Sequence, residues 1–142
     1  MRIVRLSVAA SLGLLIGAAG LAATAPAGAP LRPLSERDQI AAHGEDCPLF
    51  FAAGHRTYLY VVDHDYMIRT AAGRTICTIS DAQFGALADG GSQSCGGYRI
   101  IVRVTGPQVT LESHDSASSP ATLTVAGHGR PWTLRGSWAT QC

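Results

Sequence analysis

The period of apolar and polar positions changes along this chain, and each change predicts a different kind of element. Between Pro48 and Ile79 the runs PLFFA, TYLYVV, YMIRT and RTICTI are short and rich in aromatic and β-branched residues. They are separated by Gly54, by Asp63 to Asp65 and by Gly73, which reads as four strands joined by tight turns. AAGHRT at 52–57 recurs as AAGRT at 71–75, each a small-residue turn feeding a strand. From Tyr98 onward YRIIVRV, QVTLESH, ATLTVA and WTLRGSW alternate with a period of two, the signature of strands with one covered face. Tyr98, Ile100, Val102, Val104, Val109, Leu111, Leu123, Val125, Trp132, Leu134 and Trp138 are expected on that face. Arg99, Arg103, Thr110, Glu112, Thr122, Thr124, Thr133 and Arg135 are expected on the other, with Ile101 its apolar exception.

Two segments read as helix. Ser35 followed by Asp38 forms a capping box ahead of a short, weakly amphipathic stretch ending at Gly44. Ser80 with Gln83 opens SDAQFGALADGG, with Gly90 and Gly91 as the stop, and this helix lies wholly between Cys77 and Cys95. The fold expected is therefore mostly β, with α+β as the alternative: a small antiparallel meander, sandwich or barrel stabilised by disulfides, with one helix between Cys77 and Cys95.

Ahead of this domain, Arg2 and Arg5 precede an uncharged run from Leu6 to Ala23 and then the small-residue stretch TAPAGA. That is the three-part grammar of a secretory signal peptide. Cleavage after Ala25, Ala27 or Ala29 satisfies the small-residue preference, and Pro26 and Pro30 favour Ala27. The expected organisation is a leader over 1–27, a flexible lead-in over 28–44 that includes the short helix, and one β-rich domain over 45–142. An uncleaved anchor is the competing reading, but Ser7, Ser11, Gly13, Gly17 and Gly20 interrupt the apolar run. Export to the periplasm or medium, with no stable membrane anchor after cleavage, is the expectation.

Removing the leader leaves nine arginines against ten carboxylates, a net charge of about −1, which by itself points to no nucleic-acid or anionic-membrane partner. Every basic side chain is Arg; Lys and Asn are absent from the chain. With the abundance of Ala and Gly, this fits a GC-rich bacterial genome. Without Asn there is no N-glycosylation site, no Asn-Gly turn and no Cys-His-Asn triad.

Cys47, Cys77, Cys95 and Cys142 all lie in the exported part, and an even number in an oxidising compartment reads as two disulfides. Of three pairings, Cys77 with Cys95 closes a short local loop and Cys47 with Cys142 ties the ends of the domain, and this combination is preferred. No C-x-x-C occurs, so a zinc or thioredoxin-type reading is poor.

Candidate chemistry is sparse. Asp63, His64 and Asp65 are adjacent, but in an extended strand the carboxylates and the imidazole would point to opposite faces. A turn in which Asp63 accepts from backbone NH groups two residues on is favoured. A metal-dependent hydrolase would require His64 and Asp63 to meet His114 and Asp115. Ser113, His114 and Asp115 are consecutive, the wrong arrangement for a triad. There is no G-x-S-x-G, H-E-x-x-H or phosphate-binding glycine loop, and only Glu36, Glu45 and Glu112 could supply a paired-Glu glycosidase. No cofactor is implied.

The stretch Ser94-Cys95-Gly96-Gly97-Tyr98 resembles the S-G-x-x-Y motif of the periplasmic C-type lysozyme inhibitors, small exported β-rich proteins with a cysteine near the C-terminus. Ser and Tyr keep the spacing, and cysteine stands where the motif has glycine. The likeness spans about five residues, and the family's Lys-Gly loop has no counterpart in a chain without Lys. The function expected is thus an envelope binding or inhibitory protein with a protein or glycan partner, in preference to an enzyme or a purely structural envelope protein. The loops Gly90 to Gly97, Asp115 to Pro120 and Gly127 to Pro131 are the expected contact regions. Ser94, Tyr98, His128 and Trp138 are the candidate contact residues, while Trp132 is expected to pack in the core.

Overall fold

The computed structural model describes residues 28–42, 44–111 and 115–142. The expected leader, and Glu112 to His114, lie outside the described residues. The four apolar runs form β1 (Leu49–Ala53), β2 (Arg56–Val62), β3 (Asp65–Thr70) and β4 (Gly73–Thr78), each antiparallel to the next. Helix α2 (Asp81–Ala86) follows, with the Ser80/Gln83 capping box formed in both directions. Then come β5 (Gly90–Cys95), β6 (Tyr98–Val104), a two-residue β7 (Val109–Thr110), β8 (Ala117–Ala126) and β9 (Trp132–Thr140).

A plain meander would keep strands in chain order. Here β9 pairs with β1, giving the order β4-β3-β2-β1-β9-β8-β6-β5, with β7 attached to the end of β8. The sheet curls until its two outer strands, β4 and β5, approach each other, producing a nearly closed antiparallel barrel. No ladder joins β4 to β5. The Cys77–Cys95 disulfide spans that seam with its Cα atoms 5.7 Å apart, and α2 crosses from one side of it to the other. The second disulfide, Cys47–Cys142, fastens the chain ends beside the β1/β9 ladder. Both preferred pairings are therefore present, and two disulfides suggest an oxidising, extracytoplasmic location.

Inward-facing residues fill the barrel. Register places Leu49 opposite Val61, Val61 opposite Tyr66 and Phe51 opposite Leu59; further round, Val102 faces Leu123 and Leu123 faces Leu134. These belong to one continuous core. β9 runs so close to β1 that a Cβ on Gly136 would collide with the Ala52 carbonyl and the Phe51 ring, which fixes glycine at that point of the seam.

Several expectations change. The segment after residue 28 is seated, not flexible: Leu31 is fully buried in the core, the Arg32 NH donates to the Arg69 carbonyl and the Leu34 NH donates to the Thr57 carbonyl. Helix α1 (Glu36–Ile40) has its Ser35/Asp38 capping box but stops well short of Gly44. Gly90 and Gly91 do more than end α2: they begin β5, pairing with Arg103 and Val102. The polar run Asp115 to Pro120 was expected as a loop, yet Ala117 to Pro120 pairs with Thr140 to Ser137 and lengthens β8. Conversely, among the described residues of QVTLESH only Val109–Thr110 form a strand, β7, and Val109 and Leu111 are 58% and 46% exposed, outside the core where alternation puts them. A strand at the margin of a sheet has no opposing layer to bury its apolar face, and the period of two cannot reveal that.

Candidate binding site at the Tyr98 end of the barrel

Asp63 and His64 form the tip of the β2–β3 hairpin, with Asp63 at φ 46°, a left-handed conformation that a short polar side chain tolerates. The Asp63 carboxylate does not close on its own turn as expected. It accepts from the Glu45 NH at 3.1 Å and the Asp46 NH at 3.4 Å, tying the loop before Cys47 to the hairpin. His64 Nδ1 donates to the Ile79 carbonyl at 3.0 Å, while Nε2 lies 3.6 Å from the Asp81 carboxylate. His64 thereby joins the hairpin to the start of α2. The surroundings are acidic: the Asp63 carboxylate beside Asp46 raises the Asp46 carboxyl above its usual range. Among the described residues no group of three or more His, Cys, Asp or Glu could hold a metal ion. His114, the second imidazole of the hydrolase reading, lies outside the described residues, and Asp115 is an exposed turn residue.

The four candidate contact residues separate into two kinds. Trp138 is 3% exposed, packed in the core, and its indole NH donates to the Leu87 carbonyl at 2.9 Å, so it anchors the end of α2 to β9 and offers no ring to a partner. The expectation for Trp138 fails because its strand lies at the β1 seam, where Gly136 brings the sheet together and α2 covers it. Ser94, Tyr98 and His128 do converge. The β5–β6 turn is Gly96-Gly97, both at positive φ, the two-residue geometry that matches the twist of a hairpin. It places Ser94 opposite Arg99 on the outward face and Tyr98 opposite Cys95 on the inward one. Ser94 and Tyr98 therefore lie on opposite faces, although both border a shallow depression with Gly97, Arg99, Ala126 and Gly127.

Against this turn sits the β8–β9 connection. A Cβ on Gly127 would come 2.8 Å from the Gly97 carbonyl, and the His128 Nε2 lies 3.5 Å from where a Cβ of Gly97 would be. That close approach stacks the Tyr98 and His128 rings edge to face, centroids 5.1 Å apart. Beside them is a cleft of about 220 Å³ whose walls include Trp132, Arg130, Pro131 and, from the N-terminal segment, Gly28 and Pro30. Trp132, expected in the core, is half-buried: one side packs on Tyr58 at 6.2 Å and another lines the cleft. Sequence reading missed Trp132, Arg130 and Pro30 because they come from three separate segments. Only the Gly127 to Pro131 turn carried a signal, its density of turn residues beside Trp132.

No known protein family matches the chain, and neither a curated protein nor a solved structure is similar to it.

Proposed function

We propose that this protein is an exported binding or inhibitory domain of the bacterial cell envelope, and that it grips a saccharide chain at the Tyr98 end of its barrel. The observation that carries the reading is the edge-to-face Tyr98/His128 pair beside a cleft walled by Trp132 and Arg130. Aromatic faces stack on the apolar faces of sugar rings, and Arg and His supply hydrogen-bond donors for hydroxyls. About 220 Å³ suits one or two sugar units better than the broad face of a protein partner. A barrel held by two disulfides presents the site with little ordering cost on binding.

The test is retention of the folded, oxidised domain on peptidoglycan fragments, with C-type lysozyme and an envelope extract as parallel baits. Tyr98→Ala and His128→Ala should each reduce retention on the saccharide at least tenfold with the domain still folded, the melt falling for Tyr98→Ala because that ring also packs on the core, and Ser94→Ala should do less. Capture by lysozyme instead, dependent on Ser94, would replace the saccharide with a protein partner. No retention on any bait by an intact fold would leave a structural envelope role.

A further inference from the structure

The net charge of the exported part, about −1, hides a segregation that the strand register creates. On the outward face of β5, β6, β8 and β9, one row across the sheet runs Gly90, Arg103, Thr122, Arg135. The next runs Ser92, Ile101, Thr124, Thr133, and the third Ser94, Arg99, Ala126. Three exposed arginines thus share one face with a field of hydroxyls, and no carboxylate occurs in these rows. None of the ion pairs among the described residues involves Arg99, Arg103 or Arg135; Arg99 makes only a long contact, 3.4 Å, to the Ser92 hydroxyl. The acidic residues Glu45, Asp46, Asp63 and Asp81 gather elsewhere, around the β2–β3 hairpin.

Arg103 and Arg135 are separated by two strand spacings, roughly 10 Å, and Arg99 and Arg103 by four residues of strand, roughly 13 Å. Two shallow depressions mark the ends of this face, one beside Arg99 and Ser94, the other beside Arg135, Thr122 and Pro120. The first of them also borders Tyr98 and Gly127, so the face is continuous with the cleft described above.

We infer that this face binds a linear anionic polysaccharide, one whose carboxylate or sulfate groups recur along the chain and meet Arg99, Arg103 and Arg135 in turn. The inference rests on the reading that the partner is a glycan and adds the sign of its charge and the path it follows away from the cleft. Guanidinium groups take carboxylate and sulfate oxygens in paired hydrogen bonds, and the intervening Thr and Ser hydroxyls meet the sugar hydroxyls. An isolated arginine on a sheet would carry little; three on one face, two along β6 and the third two strands across, with no carboxylate in their rows, act on one polymer together.

Binding of the oxidised full domain to polygalacturonate and to dextran sulfate is measured against neutral dextran, duplex DNA and anionic lipid vesicles at several salt concentrations. Both anionic polysaccharides should bind and neutral dextran should not, with affinity falling steadily as salt rises. Arg99→Gln, Arg103→Gln and Arg135→Gln should each weaken binding about three- to tenfold. The triple variant should abolish it and flatten the salt dependence, and the matching Arg→Lys triple should restore the salt dependence but only part of the affinity. Equal or tighter binding of DNA or vesicles would overturn the assignment to a polysaccharide. So would undiminished binding by the triple Gln variant with an unchanged melt. Binding of neutral dextran that depends on Tyr98 but not on the arginines would remove the polyanion face and keep the cleft. Loss with the arginine variants but not with Tyr98→Ala would do the reverse.

Discussion

The two halves of the barrel are built from the same antiparallel hairpins and treat their outer surfaces in opposite ways. In β2 and β3 residues on both faces are buried, while the outward residues of β4, Ile76 among them, are exposed. Tyr66 and Ile68 face the core, yet Met67, which points outward opposite Tyr60, is also fully buried. The N-terminal segment runs along this side, with its backbone bonded to Thr57 and Arg69. Asp38, itself buried, holds Arg69 through two hydrogen bonds of 2.8 and 2.7 Å, and Gly44 packs against the outward Val62. In β5, β6, β8 and β9 the outward rows carry Thr, Ser and Arg in contact with water. A strand that reads as continuously apolar, YMIRT, announces that something will cover its second face; a strand that alternates, YRIIVRV, announces that nothing has to. The halves meet at two unlike seams, a hydrogen-bonded ladder between β1 and β9 and a ladder-free junction of β4 with β5 held by Cys77–Cys95.

The seams offer the largest effects. Replacing Cys47 and Cys142 by Ser frees a separation of 95 residues, and the loop-entropy account expects a loss of about 4.7 kcal/mol in urea unfolding. Replacing Cys77 and Cys95, 18 residues apart, should cost about 3 kcal/mol. It should also accelerate amide exchange in β4 and β5 ahead of the other strands, and uniform acceleration would mean that the two halves do not part at that junction. Leu31→Ala tests whether the N-terminal segment belongs to the covered half. Its full burial predicts a cost of about 3 kcal/mol, and a change within about 0.5 kcal/mol would return that segment to a flexible tail.

Asp38→Asn should cost about 2 kcal/mol at neutral pH, since it weakens charged hydrogen bonds to Arg69 and the capping box together. Its pH dependence has a definite sign. The bonds from Arg69, opposed by burial and aided by those from Ser35, hold the Asp38 carboxyl well below the ordinary carboxylate range. The unfolded chain therefore binds this proton more readily than the folded one. The stabilisation is complete above the unfolded carboxylate value and is lost as pH falls from there through the lower folded value. Acid-unfolding curves of Asp38→Asn and the parent should converge at low pH and separate above it. The smallest effects belong to the open face: Thr124→Val and Arg135→Gln should change stability by no more than about 0.5 kcal/mol. A larger loss there would mean that this face is covered too.

Much of this architecture was legible in the residues. The four apolar runs, the alternating strands β6, β8 and β9, both capping boxes and the cysteine pairing follow from local rules: period, turn chemistry, helix-end hydrogen bonding and loop length. The failures share one cause, which is that local rules do not say what lies on the other side of an element. Val109 and Leu111 alternate correctly but have no opposing layer. Ser118, Ser119 and Pro120 are turn formers drawn into β8 by β9.

Of the candidate site, Tyr98 and His128 were recognised singly, but their contact depends on two glycine turns meeting across the barrel end. Trp138 is buried where an exposed ring is expected, and Trp132 packs on the core with one side lining the cleft, because exposure depends on neighbours from β1 and α2 for one and from the N-terminal segment for the other. By itself, then, the sequence indicated both helices and most of the strands, the preferred pairing of the cysteines and the inward and outward positions of the alternating strands. The strand order, the near-closure, the meeting of Tyr98, His128 and Trp132, and the gathering of Arg99, Arg103 and Arg135 in outward rows that hold no carboxylate were decided only by the tertiary structure. Each depends on long-range register between strands far apart in the chain, which no local pattern encodes.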